Sequence, residues 1–271
     1  MTTRDDQSLL DPVIDALRAG GQVLLSRFDP KRRPPTTLNL VVEAIDANDA
    51  AVLSALRPRL EELRPQARWV EDELESGPLP DGEWWVVDPA EGNINHVQGL
   101  AEWGLTATLV RDNQPVLTAA YLPLQDRLFT AVRGQGTHLN GERLHVSQKS
   151  ELQAAIVGTG QARPGEEARD LHRLGLSVPA VLARALVLRV TVPATLPLLD
   201  VAAGHLDAFW QFSAVRSGLM SGALLVQEAG GRVTDMLGQP WSLQSQTFLA
   251  SAPGIHGELL DVLAPMEGAG A

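Results

Sequence analysis

Trp85-Val86-Val87-Asp88-Pro89-Ala90-Glu91-Gly92-Asn93-Ile94-Asn95 is the stretch on which the reading of this chain turns. A tryptophan-rich apolar run reads as a short buried strand that ends at Asp88-Pro89. Two carboxylates then follow three residues apart across a proline and a glycine. In that rigid turn they can converge on one small volume, with the Ala90 carbonyl pointing inward. Hard oxygen donors of this kind suit Mg²⁺, which prefers octahedral oxygen ligation and keeps several waters. The bland alternative is a solvated turn, since Asp-Pro and Glu-Gly are common loop dipeptides. The acidic pair Asp72-Glu73 just upstream brings the two readings level.

Outward from this stretch the pattern changes in each direction. Upstream, Leu9, Leu10, Val13, Ile14 and Leu17, then Val23 and Leu24, recur at helical spacing, with Gly20-Gly21 as an interruption. Pro34-Pro35 predicts an extended segment through Leu38–Val42, and a second helix capped by Asp46 or Asn48 presents Val52, Leu53, Leu56, Leu60 and Leu63, with a kink or restart at Pro58. Downstream, Leu105–Val110 and Val116–Tyr121 flank a polar turn and read as a hairpin, followed by Leu128–Val132 and the Asn140-Gly141 turn. Beyond residues 147–152 the pattern alternates. Strands are predicted at Ala155–Gly158, Ala185–Val190, Leu206–Phe212 and from Arg232, and helices at Glu166–Leu174, Leu196–Gly204 and Leu219–Ala229, the last closed by Gly230-Gly231. The expected organisation is an N-terminal α+β unit, residues 1–150, carrying the acidic motif, and a C-terminal α/β unit, residues 151–271.

Composition narrows the classes. The 271 residues suffice for a substantial core, and a hydrophobic fraction of 44% is ordinary for a globular chain. The absence of cysteine excludes a thiolate nucleophile, a zinc-thiolate site and an iron–sulfur cluster. A formal charge of −11 argues against nucleic-acid binding, and Lys31-Arg32-Arg33 beside two prolines reads as a solvated loop. No apolar run approaches the roughly 20 residues of a membrane span, so a cytoplasmic protein with neither membrane nor nucleic acid as partner is expected.

The motif centred on Asp88 resembles that of the inositol monophosphatase family, within the wider group of Mg²⁺-dependent phosphatases: a hydrophobic strand, then Asp-Pro-x-Asp-Gly-Thr-x-Asn. Other segments are similar in the same order along nearly the whole chain. They are Glu43-Ala44-Ile45-Asp46, Val70-Glu71-Asp72-Glu73, Arg133-Gly134-Gln135-Gly136 with Leu139-Asn140-Gly141, Gly204-His205-Leu206-Asp207-Ala208-Phe209-Trp210, and Glu228-Ala229-Gly230-Gly231. The resemblance implies a layered αβαβα sandwich of the α/β class, with an antiparallel N-terminal and a mixed C-terminal sheet. It also implies a homodimer and hydrolysis of small phosphate monoesters with Mg²⁺. Carried over residue by residue, Asp72, Asp88, Glu91 and the Ala90 carbonyl would ligate metal. Asp46, Asn93 and Glu91 would serve the attacking water, and Asn95, Val192, Pro193, Ala194 and Gln211 would line the substrate site, joined there by His96, Arg216 and Ser217 as residues of this chain's own.

This chain departs from that pattern at several of these positions. The motif's second aspartate is Glu91 and its threonine is Asn93, which can hydrogen-bond water but cannot relay a proton as a hydroxyl does. The family's Gly-Ser-Ala segment is Val192-Pro193-Ala194, and a substrate-contacting glutamate is Gln211. Its Trp-Asp pair falls on Ser217 and Gly218, and glycine offers no carboxylate. Arg216 brings a cation beside the loss, expected either to substitute for metal charge or to bind a substrate carboxylate or phosphate. His96 has two readings, a general acid or base at the pocket mouth or, favoured here, a packing residue in an aromatic position, while Trp103 is a candidate cover for the pocket. The first expected function is therefore a diverged enzyme acting on a small polar metabolite with a degraded, repurposed metal site. A Mg²⁺-dependent phosphatase comes second, and a non-catalytic binding protein third.

Overall fold

The computed structural model describes residues 3–71, 77–161, 164–213 and 215–268. Five layers stack as helix, sheet, helix, sheet, helix. The outer helices α1 (Thr3–Ser8), α2 (Leu10–Arg27) and α3 (Leu38–Leu63) pack on a first sheet. Its strands, in spatial as in chain order, are β1 (Arg68–Trp69), β2 (Glu83–Glu91), β3 (Gly104–Arg111), β4 (Gln114–Leu122), β5 (Arg127–Val132), β6 (Gly136–Leu139) and β7 (Glu142–Arg143). The short helix α4 (Asn93–Val97) leaves the end of β2. β1 joins β2 in parallel, and every later neighbour is antiparallel.

The second sheet is built from β8 (Ile156–Thr159), β9 (Val187–Val190), β10 (Ala208–Gln211), β11 (Arg232–Thr234) and β12 (Phe248–Ser251), ordered β11-β12-β10-β8-β9. β10, β8 and β9 run parallel, while β12 is antiparallel to both its neighbours. Between the sheets lie α6 (Thr195–Ala202) and α7 (Arg216–Glu228). α5 (Ala168–Leu182) and α8 (His256–Leu263) cover the outer face.

The layers follow from side-chain alternation along strands that are covered on both faces. On β4, Leu117, Ala119 and Tyr121 face α2 and α3, while Ala120 and Leu122 face α6 and α7. On β12, Phe248 and Ala250 point to the central helices and Leu249 to the outer ones. Among the described residues no helix is long and apolar enough to cross a membrane.

The hairpin at 105–121 forms as expected, and its turn residues Asp112 and Asn113 take the positive φ values, 49° and 64°, that suit a two-residue connection. Two expectations need correction. The Leu38–Val42 segment is helical, not extended: Thr37 caps α3, its Oγ1 accepting the Leu40 N–H at 3.4 Å, so the helix starts well before Asp46 and runs through Pro58 to Leu63. The exposed Leu38, Leu40 and Val42 imitated a buried strand. Gly20-Gly21 does not interrupt α2. A Cβ at Gly20 would lie 2.9 Å from a Leu105 methyl, and one at Gly21 would lie 2.7 Å from the Tyr121 ring. These glycines let the helix settle on the sheet, a role that spacing alone does not distinguish from a break.

Candidate functional site

The site grows out of an irregularity in β2. Asp88 pairs with Thr106 and Glu91 with Gly104, so three steps on one strand face two on its neighbour. In a regular strand residues 88 and 91 would point to opposite faces. The extra residue, beside a proline that donates no ladder hydrogen bond, lets both carboxylates address one volume. Gly92 then turns the chain at φ 74°, with the Glu102 carbonyl and the Pro193 ring pressed against the place a Cβ would occupy, at 2.6 and 2.9 Å.

Asp88 and Glu91 are buried. The Asp88 carboxylate accepts the Ala90 N–H at 3.0 Å, and Glu91 Oε2 accepts the Thr195 hydroxyl at 2.7 Å. Burial pushes both carboxyl groups above the usual range, and Glu91 is pushed further by the charge of Asp88. The two groups lie close enough to hydrogen-bond one another when one of them is protonated. Among the described residues no three acidic or imidazole side chains are arranged to hold a metal. Asp72 and Glu73 lie outside the described residues.

The α3 wall is supplied by Asp49. Its carboxylate accepts the Asn93 amide at 2.7 Å, and burial, together with the charges of Asp88 and Asp46, pushes it up to about 7. Asp46 itself is exposed. The Asn93 amide is spoken for by protein, donating also to the Ile45 carbonyl at 3.1 Å and accepting from Asn48 at 2.8 Å. Asn48 in turn accepts from Arg27 and meets His96 Nδ1 at 3.0 Å, while His96 Nε2 lies 3.0 Å from the Leu24 carbonyl. Nε2 therefore carries the proton and Nδ1 accepts. His96, its pKa lowered by burial, packs against Phe28 and Trp103. It is tied into the structure at both nitrogens, and Trp103 is a core residue.

The opposite wall comes from the second sheet. Asn95 reaches back to the Glu102 and Val192 carbonyls at 2.8 and 2.9 Å, which clamps the motif to the Val192-Pro193-Ala194 segment. Gln211, at the end of β10, is buried, and its Oε1 has no hydrogen-bond partner among the described residues. Arg216 is buried and donates through Nε and a terminal nitrogen to the Gly77 carbonyl at 3.1 and 3.0 Å, so it anchors a neighbouring loop. Ser217 and Gly218 form the next steps of the first turn of α7, and Gly218 faces Thr195 and Glu91. Beyond the Asn95 clamp, a half-open groove of about 200 Å³ is lined by Glu102, Arg127, Arg189, Thr191, Val192 and Leu196, among others.

The structure thus brings together Asp88, Ala90, Glu91, Gly218 and the 192–195 segment. It sets Asp46 apart and gives Asn93, Asn95 and His96 to internal bonds. Asp49 and Thr195 escaped the sequence reading. Asp49 was legible in principle, because with Val52, Leu56 and Leu60 it continues the inward i, i+3, i+7 face of a helix that starts at Leu38. Thr195 carried no local signal, since what matters is its meeting with Glu91, 104 residues away in sequence.

The chain resembles proteins of known kind over nearly its full span. It is 28% identical over 257 residues to the inositol-1-monophosphatase of Rhizobium meliloti, covering 94% of this chain and 96% of the relative. It is also 28% identical over 258 residues to the putative Nus factor SuhB of Neisseria meningitidis serogroup A, covering 94% and 97%. Among solved structures it superposes on the inositol monophosphatase of Anabaena (Nostoc) sp. PCC 7120 with a TM-score of 0.81 at 25% identity, covering 96% of each chain. The sequence profile of the inositol monophosphatase family matches residues 5–265, and the chain belongs to that family.

Proposed function

We propose that this chain is a diverged enzyme of the family, acting on a small polar metabolite of the phosphate-ester type through a metal site one carboxylate short. One observation carries the reading: Asp88 and Glu91 are buried and turned the same way at the end of β2, while the position facing them on α7 is Gly218. Asp88, Glu91 and the Ala90 carbonyl are hard oxygen donors for one Mg²⁺. When bound there, the ion would supply Lewis-acid polarisation and a more acidic water. A second ion held between Glu91 and residue 218 does not fit, because glycine gives no donor and the Thr195 hydroxyl fills that corner.

The chain's own groups support chemistry on an anionic substrate. Asp49, with a pKa near neutrality, suits proton transfer beside the pair. The first turns of α6 and α7 present helix N-terminal backbone to the pocket, which favours a phosphate oxygen. The Gln211 oxygen, which has no partner among the described residues, accepts a substrate hydroxyl. A homodimer belongs to the same reading, since the edge strand β9 and its flanks expose Leu182, Leu186, Val187, Val190 and Val192.

The test is a panel of sugar and inositol phosphates assayed with and without Mg²⁺, joined to calorimetric Mg²⁺ titration of the wild type and Asp88→Asn. Turnover that Asp88→Asn abolishes, with no more than one ion bound per chain, is the expected result. Two tightly bound ions would overturn the altered site in favour of an ordinary Mg²⁺-dependent phosphatase, a second reading favoured by the near-complete coverage of the inositol-1-monophosphatase of Rhizobium meliloti. Metabolite binding without turnover would make the chain a binding protein.

A further inference from the structure

We propose that Thr195 and Gly218 are one exchange: the threonine hydroxyl has taken the corner where a carboxylate on α7 would stand, and Gly218 is glycine because that corner is full. The inference rests on the reading of Asp88 and Glu91 as the reactive pair and adds what closes the site beside them. A Cβ built on Gly218 would lie 2.6 Å from Thr195 Oγ1, 3.6 Å from the Thr195 nitrogen and 3.7 Å from Glu91 Oε1. A contact of 2.6 Å is far inside van der Waals range, so even alanine at 218 meets the hydroxyl. A longer acidic side chain must pass through the same point.

Neither partner has room to yield. Thr195 is fully buried, and its Oγ1 is held by Glu91 Oε2 at 2.7 Å. Rotating the β-branched side chain would put its methyl group or its hydrogen in the hydroxyl's place, and either way would leave the buried Glu91 without its donor. Parting the helices to make room would give up the close packing between them. One turn further along α7, a Cβ at Gly222 would lie 2.2 Å from a Leu198 methyl and 2.6 Å from the Leu198 Cβ, so α6 and α7 are already in backbone-close contact.

The chemistry of the corner changes with the exchange. A carboxylate at 218 would place a third acidic group beside Asp88 and Glu91 and would call for a cation. The Thr195 hydroxyl donates a neutral hydrogen bond to Glu91 instead, and so satisfies that buried oxygen without one. Thr195 is thus a positioning residue: it fixes the Glu91 carboxyl from the side that a metal would otherwise occupy.

A stability and metal-binding cycle tests this. Thermal midpoints are measured for the wild type, Gly218→Ala, Thr195→Ala and Thr195→Ala/Gly218→Ala. Gly218→Ala lowers the midpoint by several degrees with threonine present and has little effect with alanine at 195. Equal losses in both backgrounds would overturn the proposal. Mn²⁺ binding is then followed by the electron paramagnetic resonance signal of the free ion, in the wild type, Gly218→Asp and Thr195→Ala/Gly218→Asp. The double variant is expected to bind Mn²⁺ at least tenfold more tightly than the wild type. Gly218→Asp alone binding as tightly as the double variant, or a folded double variant showing no gain, would overturn it. Adding Asp88→Asn to the double variant separates the two ideas. Loss of the gain locates it at the pair, whereas a gain that survives Asp88→Asn overturns the reading of the pair and leaves the packing exchange standing.

Discussion

Asp49 and His256 show how burial at single positions gives opposite dependences on pH. Asp49 is pushed up from the ordinary carboxylate range to about 7, so the folded protein binds its proton more tightly than the unfolded chain does. Its contribution to stability is therefore present at low pH and lost as pH rises from about 4 through 7. Asp49→Asn should raise the thermal midpoint at pH 8 more than at pH 5 while lowering activity at least tenfold; an equal gain at both pH values would contradict the assignment. His256 behaves the other way. It is fully buried, 2.7 Å from the Ser251 hydroxyl and 3.0 Å from that of Thr234, and burial with the Arg232 charge lowers its pKa to about 4. Stability that is complete above about 6.5 is lost as pH falls toward 4, by on the order of 2–3 kcal/mol. Urea midpoints measured from pH 7.5 to 4.5 should fall, and a His256→Gln variant should flatten that part of the curve.

Glycines within helices give the matching contrast among elements. Gly175 lies exposed in α5, with nothing near the place of a Cβ, so Gly175→Ala should follow helix propensity and stabilise by about 0.5–1 kcal/mol. Gly21 lies in α2 against Tyr121 and Pro123, so Gly21→Ala should instead cost about 1–3 kcal/mol by overpacking. Chemical denaturation of the two variants checks both signs at once. The sequence pattern marked α2 as helical but placed the helix of α5 at Glu166–Leu174, short of Gly175, whereas α5 runs Ala168–Leu182. It read Gly20-Gly21 as a break because a propensity scale cannot see the sheet that α2 lies on. The start of α3 was hidden for a related reason. Leu38, Leu40 and Val42 are apolar yet exposed, and alternation of apolar residues signals a strand only when one face is buried.

The whole molecule is held by contacts between distant segments. Glu228, at the end of α7, accepts the N–H groups of Gly134 and Gly136 at 2.8 and 2.9 Å, and so fastens the central helix to the turn between β5 and β6. Asp6 on α1 is buried and accepts a two-pronged pair of bonds from Arg111 at 2.8 and 3.1 Å, and Arg111 also meets Glu83 at 2.6 Å. Asp6→Ala would leave the partly buried Arg111 with one carboxylate fewer and should cost about 2–3 kcal/mol, with the metal affinity of the site unchanged. Urea unfolding together with Mg²⁺ calorimetry on that variant checks the two halves of the expectation.

The sequence by itself determined the family, the order of most strands and helices, the 105–121 hairpin and the place of the acidic motif. These are properties of contiguous residues: turn chemistry, side-chain alternation and a motif of fixed spacing. Only the tertiary structure decided which carboxylate of α3 faces the site, that His96 serves Leu24 and Asn48, that Arg216 holds Gly77, and that Thr195 stands where Gly218 leaves space. Each of those depends on side chains from separate elements meeting in one close-packed volume, and local sequence does not encode which distant side chain fills a given space.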